Sequence, residues 1–236
     1  IPEFISKYGL DVNEFAENAD SFASFNDFFV RRLKPATRPI SQAEDVAIFP
    51  ADGRHMGFKD LSDLEGVFVK GQSFDLKNLF GSVEAAAPFE QGTIVISRLC
   101  PVDYHRFHYP CSGEASAPVL INGGLSSVNP IALRRDLSIF WQNKRNLSYI
   151  DTDEFGRIAS FEVGATCVGS MTYQKSLPSF VEKGEEKGFF SFGGSSVLTL
   201  FEPEKILLSE DLLEHSASNR ELYARMGEPM GYCPNK

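Results

Sequence analysis

Three short stretches hold residue types that can do chemistry together. Phe49-Pro50-Ala51-Asp52-Gly53-Arg54 sets a carboxylate in a Pro/Gly turn. Asp103-Tyr104-His105-Arg106-Phe107-His108 brings two of the chain's 4 histidines within one short run. Phe190-Ser191-Phe192-Gly193-Gly194-Ser195-Ser196-Val197 is a Gly-Gly-Ser-Ser turn that feeds an apolar strand. Asp, His and Ser are the parts of an activated hydroxyl nucleophile: the imidazole takes the serine proton, and the carboxylate orients the imidazole and stabilises its charged form. A glycine before the serine permits the sharp backbone bend that brings the hydroxyl onto the preceding carbonyl. Each signal alone has a plainer reading: a turn aspartate bonding its own backbone, two satisfied core histidines, a common glycine turn. A metal site is not expected, because zinc needs three or four ligands and nothing completes a ligand pattern. His55 is expected in packing, and His215 in a polar C-terminal helix without a chemical role.

Elements must bring these stretches together. Residues 1–34 read as helical: Phe22, Phe25 and Phe29 fall on one face, Ser24 with Asp27 resembles a capping box, and Pro35 stops the helix after Arg31-Arg32-Leu33. From residue 40 onward, β-favouring runs alternate with Gly, Pro and Asp: Val67-Phe68-Val69, 93–96, 118–121, 158–163, 167–171 and 197–201. Helices are expected at 131–143 and near 208–226. The class is α+β: a mainly antiparallel β core, barrel-like or sandwich-like, with an N-terminal helical segment and peripheral helices, in one domain over 1–236.

Composition bounds the function. With 42% hydrophobic and 23% charged residues the chain can bury a real core. Its 21 Phe, against 7 Tyr and 1 Trp, leave some aromatic surface for an apolar substrate or a membrane. A net charge of -9 argues against nucleic acid. Local basic groups, Arg31, Arg32, Lys34 and Arg38 or Arg134, Arg135, Lys144 and Arg145, can still meet anionic lipid, the alternative being an ordinary solvated face. Cys100, Cys111, Cys167 and Cys233 show neither CxxC nor metal spacing, so no disulfide framework is expected. No apolar run approaches the roughly 20 residues of a membrane span, and no secretory signal is visible. Ile1 in place of Met leaves a preceding anchor or targeting segment open.

Taken in order, the stretches resemble the phosphatidylserine decarboxylase family of serine-derived pyruvoyl enzymes. The resemblance runs through Ser24-Phe25-Asn26-Asp27-Phe28-Phe29 with Arg32, Leu33, Arg38 and Pro39, then Pro50-Ala51-Asp52-Gly53 and Lys70-Gly71. It continues through 103–108, Ser127-Val128-Asn129-Pro130-Ile131-Ala132-Leu133, Asn143 to Arg145, and Val163-Gly164-Ala165 with Val168-Gly169-Ser170. It closes on Lys183-Gly184-Glu185 and Phe192-Gly193-Gly194-Ser195-Ser196. It implies that Asp52, His108 and Ser195 carry out self-processing, that His105 serves decarboxylation, and that Gly194 supplies the scissile carbonyl. Cleavage between Gly194 and Ser195 would leave a β subunit, 1–194, and an α subunit, 195–236, which stay associated. Ser195 would become a covalent pyruvoyl group, which forms a Schiff base with the substrate amine and acts as the electron sink, so no external cofactor is expected. His105 would return a proton to the carbanion. The Gly-Gly-Ser form is similar to the second subtype of the family; Ser196 departs from the commoner Thr but keeps a small hydroxylated side chain.

The implied reaction turns phosphatidylserine into phosphatidylethanolamine and CO2. A soluble pyruvoyl decarboxylase of a free aromatic amino acid is compatible with Gly-Gly-Ser-Ser, but Pro-Ala-Asp-Gly and Ser-Val-Asn-Pro look more like the phospholipid branch. A non-catalytic lipid-binding domain or lipoyl-carrier barrel would need none of these residues together. The expected partners are phosphatidylserine, the cleaved subunits themselves and, peripherally, the cytoplasmic face of a membrane or an organelle membrane; a homo-oligomer is left open.

Overall fold

The β-favouring runs assemble around one strand buried on both faces, Ser195–Phe201, the strand that carries the candidate nucleophile. The computed structural model describes residues 1–61, 73–166, 170–193 and 195–234. The expected strand at Val67-Phe68-Val69, the Lys70-Gly71 pair, Cys167-Val168-Gly169 and Gly194 lie outside the described residues.

Eight strands of a 9-stranded sheet run in the order Ser179–Val181, Gly113–Ala115, Arg145–Thr152, Gly156–Gly164, Ser195–Phe201, Thr93–Leu99, Gly53–Phe58 and Leu222–Ala224. Val119–Ile121 adds to Arg145–Thr152 off this path, and every pairing is antiparallel. The α+β class with a mainly antiparallel core is therefore as expected. Among the described residues the sheet is open: its outermost strands, Ser179–Val181 and Leu222–Ala224, do not pair with each other, so no closed barrel forms. Two 3-stranded sheets complete the β structure. One joins Val46–Ile48, Pro229–Tyr232 and Leu207–Leu208; the other joins Arg106–His108, Glu186–Phe190 and Met171–Tyr173.

Alternation along the central strand divides the core. Leu198 and Leu200 pack with Ile94, Ile96, Phe161 and Val163 beneath Leu79, Phe80 and Phe140 of short covering helices. Val197, on the opposite face, packs with Ala51, Leu99, Phe107 and Phe190. Ser195 lies two positions from Val197 and so projects to that second face, toward the small sheet that carries His108.

The helical expectations need correction. The N-terminal region is not one helix: α-helix covers Pro2–Tyr8 and Phe25–Phe29, with single 3-10 turns at Val12–Glu14 and Ala19–Ser21. Gly9, at φ 62, ends the first helix. Ser24 Oγ does accept the Asp27 N–H at 3.1 Å. However, the helix stops at Val30, and Leu33 instead bridges Phe15. The repeated phenylalanines reflect a cluster in which Phe4, Phe15, Phe22 and Phe25 all meet Phe28. The 131–143 helix splits into Pro130–Leu133 and Ile139–Gln142, because Asp136 accepts the Ser138 N–H at 2.9 Å and breaks the ladder. The C-terminal helix is shorter, Glu210–Ala217; Asn219 at φ 54 turns the chain into the edge strand Leu222–Ala224. Among the described residues no helix is long and apolar enough to cross a membrane.

Candidate active site

Asp52 closes the turn before Gly53–Phe58, where the backbone approaches so closely that a Cβ on Gly53 would lie 2.6 Å from the Arg98 carbonyl oxygen. Its carboxylate is buried and fully engaged. It accepts from Arg38 Nε at 2.9 Å and 3.0 Å, from Arg38 Nη2 at 2.5 Å and from the Met226 N–H at 2.9 Å.

His108 ends the Arg106–His108 strand and is tied to the same turn, its backbone N–H donating to the Pro50 carbonyl at 2.7 Å. Its Nδ1 lies 3.0 Å from the Gly184 carbonyl oxygen. A carbonyl only accepts, so Nδ1 carries the proton and Nε2 presents a lone pair. Nε2 is buried and has no partner among the described residues. Burial pulls the imidazole pKa below its ordinary value; the bond to Gly184 and the charges of Glu186 and Asp52 oppose this only in part. Asp52 is thus felt at His108 without touching it. The Lys183-Gly184-Glu185 turn, one of the resembling motifs, supplies the acceptor that fixes the tautomer. Gly184 must be glycine, at φ 78 with a Cβ position 2.3 Å from Ile40.

His105 is wholly buried. Its Nε2 lies 2.9 Å from the Cys100 carbonyl oxygen, so its Nδ1 is the bare nitrogen, again without a partner among the described residues. Phe29 stacks on the ring at 3.8 Å. Burial, helped by the Arg31 charge, pulls its pKa down to about 3. Both histidines are therefore neutral bases with one free lone pair.

Ser195 begins the central strand, opposite Leu99 on one side and Gly164 on the other. Its hydroxyl is buried without a hydrogen-bond partner among the described residues, as is that of Ser196. Such an orphan costs about 1–3 kcal/mol, so it signals a group held for something other than stability. Leu99 directly precedes Cys100, whose carbonyl holds His105, and the Phe190 N–H donates to the His105 carbonyl at 3.0 Å. The strand that pairs with Ser195 at Leu99 and the strand that leads into the loop before Ser195 are thereby connected to the histidine run.

The segment that leads to the expected cleavage position is also held. The Phe192 N–H donates to Asn26 Oδ1 at 3.1 Å, and the Phe192 ring meets Phe25 at 5.2 Å and Phe29 at 5.0 Å. Ser170 Oγ donates to Ser191 Oγ at 2.9 Å, and Gly193 has a φ of 141 that favours glycine. Asn26 and Ser170 lie far from Ser195 in sequence, and only their place in the resembling motifs singles them out.

The remaining candidates resolve simply. His55, wholly buried, bonds Ser97 Oγ and the Ala224 carbonyl, a packing role as expected, and His215 Nδ1 faces the Asp211 carbonyl within its own helix. A buried pair the sequence did not signal, Lys187 and Glu162 at 2.6 Å, is closed by Ser148, Ser160 and Tyr173 into a satisfied network. Among the described residues no three His, Cys, Asp or Glu side chains form a metal-holding group, and Cys100, Cys111 and Cys233 are free thiols.

Comparison with known proteins follows the same line. The family profile for phosphatidylserine decarboxylase matches residues 25–232. A Chlamydia trachomatis protein named phosphatidylserine decarboxylase proenzyme is 46% identical over 231 residues, covering 98% of this chain and 77% of its own length. A Clostridium perfringens protein of that name is 42% identical, covering 98% of this chain and 79% of its own length. One from Fusobacterium nucleatum is 40% identical, with 98% and 77% covered.

Proposed function

Because the chain belongs to the phosphatidylserine decarboxylase family, we propose that it is a proenzyme that cleaves itself and then converts phosphatidylserine to phosphatidylethanolamine and CO2. The observation that carries this reading is the pair of buried, unpartnered atoms, His108 Nε2 and Ser195 Oγ, one a bare base and the other a bare hydroxyl.

His108 Nε2 takes the Ser195 proton, and the oxygen attacks the carbonyl carbon of Gly194, converting the amide to an ester. Elimination across the Ser195 Cα–Cβ bond expels the Gly194 carboxylate, and hydrolysis of the resulting dehydroalanine releases ammonia and leaves a ketone at the new N-terminus. The chain then consists of a larger piece, 1–194, and a smaller one, 195–236. The site suits the group so formed: among the described residues the Ser195 side chain has no competing hydrogen bond, its backbone pairs with Leu99, and the apolar cluster of Leu99, Phe190 and Val197 lies on the face to which it projects. When present, the pyruvoyl ketone supplies the electron sink for loss of CO2. His105, with Nε2 committed to Cys100, keeps Nδ1 as the position that holds and returns the proton to the substrate carbon.

Phosphatidylserine is an amphiphile, and the cleavage loop carries Phe192 at 42% exposure, so the protein meets a membrane peripherally at this rim. Sedimentation with phosphatidylserine vesicles, weakened by Phe192→Ser, tests that contact.

The division of labour is tested by His105→Ala and His108→Ala. Denaturing gels and mass spectrometry should show the first variant cut between Gly194 and Ser195 but releasing little CO2, and the second uncut. An uncut His105→Ala protein of native fold would reverse the two assignments.

A further inference from the structure

A cavity of about 320 Å³ lies between the N-terminal segment and the core; Phe15, Arg31, Arg38, Asp52, Tyr104 and Tyr223 are among its walls. Three of its arginines are matched by carboxylates: Arg38 by Asp52 and Glu14, Arg54 by Asp103, and Arg225 by Glu14. Arg31 is not. It is 5% exposed, and among the described residues no carboxylate lies within ion-pair distance. Its Nη1 and Nη2 reach the carbonyls of Phe28 and Val102 only at 3.3 Å and 3.4 Å, and its Nε has no partner among the described residues. The guanidinium lies over the rings of Phe15 and Phe28, at 5.1 Å and 4.8 Å, which fix its plane.

Another buried arginine without a carboxylate makes the contrast. Arg145 puts all three nitrogens on carbonyls at 2.5–2.9 Å and is complete. Arg31 has spent only its weakest bonds. A desolvated guanidinium of this kind is costly unless an anion completes it. The cavity adjoins the histidine run through its wall residues. Phe29, two positions before Arg31, stacks on His105, and the wall residue Tyr104 meets the His108 ring at 5.9 Å.

We propose that Arg31 is the anchor for the phosphodiester of the substrate headgroup. This inference rests on the function proposed above. The substrate offers two anions, a carboxylate and a phosphodiester, and the chemistry separates them. The carboxylate leaves as neutral CO2, so a guanidinium on it would stabilise the starting state over the transition state and slow the reaction. The phosphodiester keeps its charge throughout. It is attached through one CH2–O link to the carbon that bears the amine and carboxylate, so an anchor there fixes the reacting carbon near His105 without opposing the loss of charge. Arg31 is thus a binding residue outside the self-cleavage machinery.

The experiment compares wild type, Arg31→Met and Arg31→Lys for CO2 release from phosphatidylserine in detergent. The competitors are glycerophosphoethanolamine, which has a phosphodiester but no carboxylate, and free serine, which has the reverse. Glycerophosphoethanolamine should inhibit the wild type better than serine does. Arg31→Met should cleave itself but show KM raised about ten-fold or more and inhibition by glycerophosphoethanolamine weakened in parallel, with Arg31→Lys between the two. Unchanged KM and inhibition in Arg31→Met overturn the assignment, as does serine competing equally well. If Arg31→Met does not fold, Arg31→Lys decides, since its charge cannot reproduce the planar fork; wild-type values in that variant overturn the assignment. A wild type that cleaves itself but releases no CO2 from phosphatidylserine sinks the functional reading instead. Arg31 is then judged by whether glycerophosphoethanolamine raises the Tm of Ser195→Ala protein but not of Ser195→Ala, Arg31→Met protein.

Discussion

Asp52 carries two loads that a simple mutation confuses. Its carboxylate holds Arg38 through both oxygens and accepts the Met226 N–H, and its charge reaches His108 only through space. Asp52→Ala leaves the buried Arg38 guanidinium with Glu14 as its one carboxylate and should cost about 3 kcal/mol in the chemical denaturation of a Ser195→Ala background. Asp52→Asn removes the charge while keeping shape and some hydrogen bonding. If the carboxylate serves self-cleavage electrostatically, Asp52→Asn protein of near-native stability will still cleave slowly; full-rate cleavage would reduce Asp52 to a scaffold. The His108 environment makes a separate prediction. Burial lowers its folded pKa below 6.5, so the base form survives below that pH and is lost only as pH falls through the lowered value. The acid limb of the cleavage rate, followed on freshly refolded protein, should have its midpoint below 6.5; a midpoint above it would exclude His108 as the base.

The helix Phe25–Phe29 shows how local structure reaches the reaction. It presents Asn26 to the Phe192 N–H and Phe29 to both Phe192 and His105, fixing the segment before the scissile bond from outside the sheet. Asn26→Ala should slow self-cleavage several-fold with little change in Tm, because it removes one surface-side hydrogen bond of about 1 kcal/mol; an unchanged cleavage time course would show that the loop needs no such hold. The sequence made the strand carrying Ser195 legible, since an apolar run after a glycine turn has few other uses, and the capping serine before Phe25 was equally plain. It did not reveal Gly184 as the acceptor for His108, because a backbone carbonyl 76 positions away leaves no side-chain signature. The N-terminal phenylalanines misled for a related reason. Helical spacing cannot distinguish one long amphipathic face from several short turns folded around Phe28. Short strands such as Arg106–His108, which place the histidine run, owe their existence to tertiary pairing more than to local propensity.

At the scale of the whole molecule, the proposed cut falls at the start of the strand buried most deeply. Residues 195–234 enter the large sheet through Ser195–Phe201 and Leu222–Ala224, and a smaller sheet through Leu207–Leu208 and Pro229–Tyr232. Val197, Leu198, Leu200 and Phe201 each bury a side chain contributing about 1.5–3 kcal/mol, so the pieces should co-elute after cleavage and separate only in denaturant. The same burial sets the pH response of the uncut fold. His55 and His105 have folded pKa values near 3, against an ordinary value of 6.5, and His108 is lowered as well. Between those limits the unfolded chain binds protons that the folded chain refuses, so stability is fully present above pH 6.5 and drains away as pH falls. From pH 6.5 to 5 each of the two strongly shifted histidines should remove about 2 kcal/mol. Asp103, whose folded pKa burial raises, acts in the opposite sense, from that raised value down to its ordinary 3.8. Urea denaturation of Ser195→Ala protein should therefore show a midpoint falling steadily from pH 7 to 5, with His55→Gln flattening the slope. A midpoint that stays constant would mean that the histidines are hydrated in solution, and the dry, neutral site on which the proposed chemistry depends would not exist.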